Sequence, residues 1–310
     1  MDLRQLRYFV AVAEELSFSN AARRLNMSQP PLSLQIKSLE EHLGATLFAR
    51  DNRNVALTEA GTVMLKHAYL TLEQLEKAQH AVKQVTEGEA GEMRIGFTAS
   101  VPMFDAFPRL LQDFRQKYPG ARADLIHMST GSQLKALSEK SLDVGFLRPS
   151  PLFSPPPTIE VISLWKDRLA VTLPSYHALS KGEGPISIAK LQQENFVLFP
   201  RGLGCGLFDH ISILASRAGF APIVTQEARE GSTILGLVAA GMGVSVLPET
   251  YSKTLIPGLV YRQLADRDVN SHILVAFRKD YRPPLLKNFI ELVCAARSAD
   301  GDTSTVKIPH

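Results

Sequence analysis

Apolar residues in the first 57 positions recur at helical spacing in three short runs. Leu3, Leu6, Phe9, Val10 and Ala13 put one stripe on a first helix. Ser17 or Ser19 is placed to cap a second helix through Ala21, Ala22 and Leu25. Leu25-Asn26-Met27 then turns the chain, and asparagine tolerates the strained backbone such a turn needs. Ser28 opens a third helix. Pro30 and Pro31 fall in its first turn, where a missing N–H costs nothing because those donors have no intrahelical partner. Leu32, Ile36, Leu39 and Leu43 form its buried stripe, and Gly44 stops it. Gln29, Ser33, Leu34 and Lys37 point outward. Arg50-Asp51-Asn52-Arg53-Asn54 is rich in turn residues and precedes a strand-like Val55-Ala56-Leu57, so a basic hairpin follows the third helix. Three helices in this order form a helix-turn-helix core. An outward polar face on the third helix, beside a basic wing, suits a DNA groove and its phosphates better than a plain helical bundle.

From Thr58 the period changes to that of a single long helix over 58–86. Leu65, Ala68, Leu72, Leu75, Gln79 and Val82 step by three and four, which is a heptad seam. Such a seam either packs on the helix's own body or pairs two chains. Pairing suits a helix-turn-helix that reads two half-sites. Glu87-Gly88-Glu89-Ala90-Gly91 reads as a flexible joint. Strands and helices alternate from Met93. MRIGFT, ADLIHM, DVGFLR, RLAVTL, NFVLF, PIVTQEA, GVSVLP, GLVYRQL and HILVAF read as strands, with helices near 103–117, 132–139 and 283–297. ADGDTSTVKIPH at the end has no pattern and reads as a disordered tail.

Composition narrows the class only slightly. The chain has 310 residues, 45% of them hydrophobic, and a net charge of +3, which permits DNA binding without demanding it. Residues 1–58 carry seven Lys and Arg against six Asp and Glu, so affinity for DNA has to come from the placement of charge and from dimerisation. MDLRQLRYF has no apolar signal core, and no run approaches the ~20 apolar residues of a membrane span. A cytoplasmic protein is expected, and Cys205 and Cys294 fit a reducing compartment. The eight histidines form no ligand cluster, and neither GLGCG nor GMGVS has a dinucleotide or P-loop spacing, so no metal and no cofactor are expected. The proline-rich segment 149–158 reads as a stiff loop.

The run MDLRQLRYFVAVAEELSFSNAARRLNMSQPPLSLQIKSLEEHLGATLFAR, followed by LTEAG, resembles the N-terminal domain of LysR-type transcriptional regulators, without a gap over about the first 60 residues. RIGFTAS, DVGFLR and LGLVAAGMGVSVLP are similar to the subgroup that controls aromatic and organic-acid catabolism. The resemblance implies a winged helix-turn-helix over 1–58, a linker dimerisation helix and hinge over 59–91, and an α/β effector domain over 92–300. The last would comprise two subdomains, 92–162 with 267–300 and 163–266, laid out like periplasmic solute-binding proteins; 301–310 is the tail. It also implies a dimer of dimers, with RNA polymerase as a candidate partner. Ser28, Gln29, Pro30, Pro31, Ser33, Leu34, Lys37, Arg50 and Arg53 are the residues expected at DNA. In this family the position of Leu34 is often basic; exposed here, it suits a thymine methyl group.

Ligands in open α/β folds sit beyond the carboxyl ends of strands. Two hydroxyl-bearing turns fall there, Thr98-Ala99-Ser100 and Ser129-Thr130-Gly131-Ser132, along with Arg148 as a positive fork. Phe199, Pro200, Arg201 and Gly202 end a strand of the other subdomain, giving an apolar wall and a second cation. Hydroxyls after strands are also ordinary helix caps. The resemblance raises Ser100 and Thr130, which match the inducer-contact turns, and Arg148 and Pro200, which match positions near that pocket. A small carboxylate, with an aromatic one fitting the subgroup's manner, is the expected effector of a DNA-binding regulator that is not an enzyme. The competing readings are a cytosolic solute-binding protein and an α/β enzyme with an accessory helical domain. Glu227 and Glu230 read equally as cleft or surface charges, His127 as packed or solvated, and redox sensing through Cys205 has little support because no second cysteine lies near it in the chain.

Overall fold

A computed structural model describes residues 1–51, 54–204 and 206–299. It divides into two compact units, Met1–Lys83 and from Gln84 onward.

The first unit contains α1 (Leu3–Glu15), α2 (Phe18–Arg24), α3 (Gln29–Leu43), the strands β1 (Phe48–Asp51) and β2 (Asn54–Leu57), and most of α4 (Glu59–Glu87). A capping box starts α1: Gln5 N–H donates to Asp2 Oδ1 (2.8 Å), and Asp2 N–H donates to Gln5 Oε1 (3.1 Å). Ser17 caps α2 by accepting from Asn20 N–H. Asn26 takes a left-handed φ of 55° in the turn that follows. Ser28 stands at the N-cap of α3 but makes no side-chain cap bond there. Leu32, Ile36 and Leu39 are fully buried, and they meet Phe9 and Phe48, whose rings lie 5.3 Å apart. Leu43, expected in that stripe, is 39% exposed. It is one residue from the left-handed Gly44, where the helix ends and its face no longer has a partner. Thr58 caps α4 by accepting from Gly61 N–H (2.9 Å) while its own hydroxyl reaches the Thr46 carbonyl (2.7 Å). At Gly61 a Cβ would stand 2.1 Å from the Leu47 carbonyl oxygen, so only glycine lets α4 pass the entry of the hairpin. The Tyr69 hydroxyl donates to Glu14 (2.8 Å) and Arg24 pairs with the same carboxylate (2.6 Å), joining α1, α2 and α4; these partners hold Glu14 below the usual carboxylate range despite partial burial.

The heptad seam of α4 divides. Ala68 is fully buried, and Leu65 and Leu72 pack partly against the unit's own core. Val82 is 67% exposed, and Val63, Leu70 and Val85 are also exposed.

The second unit has a seven-stranded sheet in the order β10-β6-β11-β5-β3-β4, with β9 on β6, where β3 is Ala90–Phe97, β4 Gly120–His127, β5 Val144–Leu147, β6 Ile159–Pro174, β9 Ser245–Pro248, β10 Leu259–Gln263 and β11 Asn270–Arg278. The strands β7 (Asn195–Leu198) and β8 (Ile223–Glu227) pair in parallel. Helices α5 (Ala106–Lys117), α6 (Thr130–Ser138), α7 (Gly206–Arg217), α8 (Gly231–Ala239) and α9 (Pro284–Ala299) fill the connections. β3 pairs in parallel with β4 and β5, as strand–helix–strand crossovers require. The sixteen-residue β6 passes between two apolar cores. Leu164 and Trp165 belong to one, with Ile95, Phe146 and Phe289; Leu169, Val171 and Leu173 belong to the other, with Phe196, Ile234 and Val246. The chain returns between them at 264–270.

The flexible joint expected at 87–91 is instead fixed. Ala90 and Gly91 already pair in β3, and Asn288 Nδ2 donates to the carbonyls of Glu87 (3.1 Å) and Gly88 (3.0 Å). Gly88 has φ +72°, and a Cβ there would lie 2.4 Å from the Pro284 carbonyl carbon.

Candidate functional site

On the first unit, α3 presents a continuous outward face. Ser28, Gln29, Pro30, Pro31, Leu34 and Lys37 are exposed, and Ser33 is half-buried. Gln29 Oε1 accepts from Ser19 Oγ at 3.2 Å, which leaves its amide N–H groups for a base edge. Lys37 makes only a loose i,i+4 pair with Glu41 (3.8 Å). Leu34, 66% exposed, is the large apolar residue in the middle of this polar face. Glu40 anchors the wing by accepting from Leu47 and Phe48 N–H (2.8 and 3.1 Å). β1 and β2 pair antiparallel from Phe48↔Leu57 to Asp51↔Asn54, which puts the backbone of Arg50 opposite Val55. The Arg50 side chain and the whole of Arg53 lie outside the described residues.

In the second unit a cavity of about 240 Å³ opens where elements of the two cores meet. Thr98, Ser100 and Thr130 line it from one core; Phe199, Leu203 and Tyr251 line it from the other. Helix α6 begins at its wall, with Ser129 as N-cap accepting from Ser132 N–H (3.2 Å). Helix α8 begins at the opposite wall, where Arg229 and Glu230 line the cavity. Two helix N-termini therefore bring partial positive charge and first-turn N–H groups to one space. His127 Nδ1 and Glu230 Oε1 stand 3.8 Å apart at the exposed rim.

Arg148 differs from the free positive fork that the sequence suggested. It is buried, with its side chain 2% exposed, and it already has anionic and hydroxyl partners. Nη2 meets Asp167 Oδ2 at 2.9 Å, Nη1 donates to Ser271 Oγ at 2.8 Å, and Nε donates to Ser100 Oγ at 3.0 Å. Asp167, 5% exposed, also accepts from Thr250 Oγ1 (3.0 Å), so its carboxylate connects the two cores. Neither the Ser100 nor the Thr130 hydroxyl makes a helix-cap bond. Ser100 orients Arg148 and keeps its own proton to donate. Thr130 Oγ1 accepts from Arg148 N–H and donates to the Arg148 carbonyl, both at 3.1 Å. Phe199 lines the cavity, whereas Pro200, Arg201 and Gly202 are not among its lining residues. Arg201 is exposed and faces Asp209 at 3.7 Å. The strand ends at Leu198, one residue before Phe199, and the 3₁₀ turn Arg201–Leu203 swings Leu203 inward in place of the two residues before it.

Asp167, Thr250 and Ser271 were missed. The charged run Lys166-Asp167-Arg168 inside the otherwise strand-like LWKDRLAV was the available signal for Asp167; nothing local marks the other two. Cys205 lies outside the described residues. Among the described residues no group of three or more His, Cys, Asp or Glu is placed to hold a metal, and no helix is long and apolar enough to cross a membrane.

A winged helix-turn-helix joined to an α/β unit with a ligand-sized cavity defines a DNA-binding protein with a small-molecule receptor in the same chain. The family model for the bacterial regulatory helix-turn-helix protein of the lysR family matches residues 3–62, and that for the LysR substrate binding domain matches residues 86–297. The chain belongs to the LysR family and is a transcriptional regulator of that type. It is 40% identical to the uncharacterized HTH-type transcriptional regulator YnfL of Escherichia coli (strain K12) over 96% of this chain and 99% of that one. It is 34% identical to the HTH-type transcriptional regulator BenM of Acinetobacter baylyi (strain ATCC 33305 / BD413 / ADP1), covering 98% of both. The structure of full-length CbnR complexed with its target DNA matches with a TM-score of 0.81 at 29% identity, over 96% of this chain and all of that one.

Proposed function

We propose that this regulator's hold on its operator is set by a small organic acid bound in the 240 Å³ cavity. The observation that carries the reading is the convergence of α6 and α8: Thr130 and Gly131 N–H groups at the start of α6 have no partner among the described residues, and they suit a carboxylate. Ser100 adds a hydroxyl donor. Phe199, Leu203 and Met128 give the apolar wall that suits an acid with a hydrocarbon or aromatic body. The Arg148 charge is matched by Asp167, so Arg148 acts by aiming Ser100 and fixing Thr130, and the ligand's charge is held by the helix ends.

On DNA, Gln29, Ser33 and Leu34 read bases in the major groove, while Lys37, Arg50 and Arg53 meet phosphates or the minor groove; Ser28, Pro30 and Pro31 set the entry of α3. Two chains pair through the exposed apolar residues of α4, and pairs join into a tetramer through their effector domains, with RNA polymerase as the further partner. Closure of the two cores on a ligand favours one arrangement, and it shifts the equilibrium only by the ligand's differential affinity for the two arrangements.

A thermal-shift panel of aliphatic and aromatic acids, read beside operator titrations, tests this. An acid should raise the unfolding temperature of the wild-type chain, less so for Ser100→Ala and Thr130→Val, while basal operator binding of both variants is retained. An equal shift in all three chains removes the cavity as the effector site.

A further inference from the structure

A second cavity, about 340 Å³, shares no lining residue with the first. One wall is a single face of α7, where His210, Ile213, Leu214 and Arg217 follow at i, i+3, i+4 and i+7. The other walls are the segment from Pro149 to Pro151 and the chain from Asp268 to His272. Ile213, Leu214 and the two prolines make the interior half apolar.

Its charged groups come as one opposed pair. Arg217 Nη1 and Asp268 Oδ2 lie 2.8 Å apart at the mouth, both well exposed. Asp268 is held in place by an unusual backbone, with φ +59° on a non-glycine residue. The buried His210 ring fixes that conformation, its Nε2 bonding the Asp268 carbonyl at 2.8 Å. Burial depresses the His210 pKa, so the ring is neutral at neutral pH and adds no charge. The cavity therefore offers one cation, one anion and a half-apolar interior, with Ser150, Asn270, Ser271 and His272 as the polar part of its lining.

We propose that this cavity is a second small-molecule site, and that it takes an α-amino acid with a medium-sized aliphatic side chain. A zwitterion matches the pair group for group. Its carboxylate faces Arg217, its ammonium faces Asp268, and its side chain enters between Ile213, Leu214 and Pro149. A simple carboxylate would leave Asp268 facing a like charge, and a simple amine would leave Arg217 doing so. The site also abuts the first cavity. Ser271 lines the second cavity and accepts from Arg148 Nη1, while Ser100 lines the first and accepts from Arg148 Nε. An amino acid here acts on the same guanidinium that orients the first site.

Calorimetric titration of the full chain at neutral pH with L-leucine, 4-methylpentanoate and 3-methylbutylamine tests the assignment; the second lacks the ammonium and the third the carboxylate. Leucine should bind saturably at one site that depends on Arg217 and Asp268, and each truncated probe should bind that site at least about tenfold more weakly; 4-methylpentanoate binding that survives Arg217→Gln belongs to the first cavity. Asp268→Asn, which keeps a side chain that tolerates the left-handed backbone, and Arg217→Gln should each weaken leucine by a similar factor. Both positions are exposed, so the variants fold. Lys135→Gln, at an exposed position that lines neither cavity, should leave leucine binding within about threefold. Absence of leucine binding, equal affinity of the three probes for the Arg217-dependent site, indifference of leucine to Asp268→Asn, or loss of leucine binding in Lys135→Gln would each overturn the proposal.

Discussion

Removing the Asp167 carboxylate should unfold the effector unit far more easily than its single pair suggests. Arg148 and Asp167 are 2% and 5% exposed and 2.9 Å apart, so neither charge can recover water when the other is deleted. Breaking a buried pair from one side costs about 3–5 kcal/mol, because the remaining charge is left uncompensated. Here Ser100 and Ser271 still accept from the guanidinium, which puts Asp167→Ala near the lower end, about 3 kcal/mol. Asp167→Asn keeps an acceptor for Arg148 and Thr250 and should cost less. The double replacement Arg148→Met with Asp167→Leu removes both charges and should return to within about 1–2 kcal/mol of wild type. Urea unfolding can be followed through Trp165, the sole tryptophan, buried two residues from Asp167 and stacked on Phe104 at 5.3 Å. The midpoint should fall at an unchanged slope. A midpoint for Asp167→Ala close to wild type, or a double variant as unstable as the single one, would refute the claim that the pair is coupled and desolvated.

Burial lowers the folded pKa of His210 below its unfolded value of about 6.5; its stabilising contribution is complete above that value and declines as pH falls from there toward the folded pKa, so wild type should lose more stability on acidification than His210→Gln, and parallel pH–stability curves would exclude the effect. Leu34 should contact a thymine methyl: replacing operator thymine by uracil should cost the wild type about 0.8 kcal/mol per contacted methyl and Leu34→Ala nothing more, whereas equal losses in both chains would place Leu34 off the bases. Val82→Asp puts a charge on the exposed apolar face of α4 and should dissociate the paired chains in sedimentation without lowering the stability of the helix-turn-helix; unchanged assembly would move the pairing surface elsewhere.

Local features were readable in the sequence wherever one residue type decides the backbone. Ser17, Asn26, the Pro30-Pro31 pair, Gly44 and Thr58 sit where their caps and turns placed them, and the strand runs from MRIGFT to HILVAF appear as β3 to β11. Periodicity showed that α4 has an apolar face, but not that Leu65, Ala68 and Leu72 turn it toward their own unit; that depends on the core built by Phe9 and Phe48. The joint at 87–91 looked flexible because Gly88 and Gly91 suit a linker, yet Asn288, some two hundred residues on, fixes it. Arg148 was identified as a site residue from its place after β5. Its neutralisation was illegible because Asp167 and Ser271 converge on it only through the pairing of β11 with β6, and Thr250 reaches Asp167 only through the return of the second core. Arg201 and Gly202 were extrapolated from the end of β7, and a single 3₁₀ turn redirects that path to Leu203.

Control of DNA binding from the effector cavity is tested most directly by thermodynamic reciprocity. Operator affinity of the full chain is measured by fluorescence anisotropy with and without a saturating acid from the thermal-shift panel, and the affinity for that acid by calorimetry with and without saturating operator. If the acid acts through one conformational equilibrium shared with the DNA-binding units, the two affinities change by the same factor, on the order of 5–150-fold. An acid that binds equally well to the free and the operator-bound chain, with Ser100 and Thr130 intact, would contradict the account.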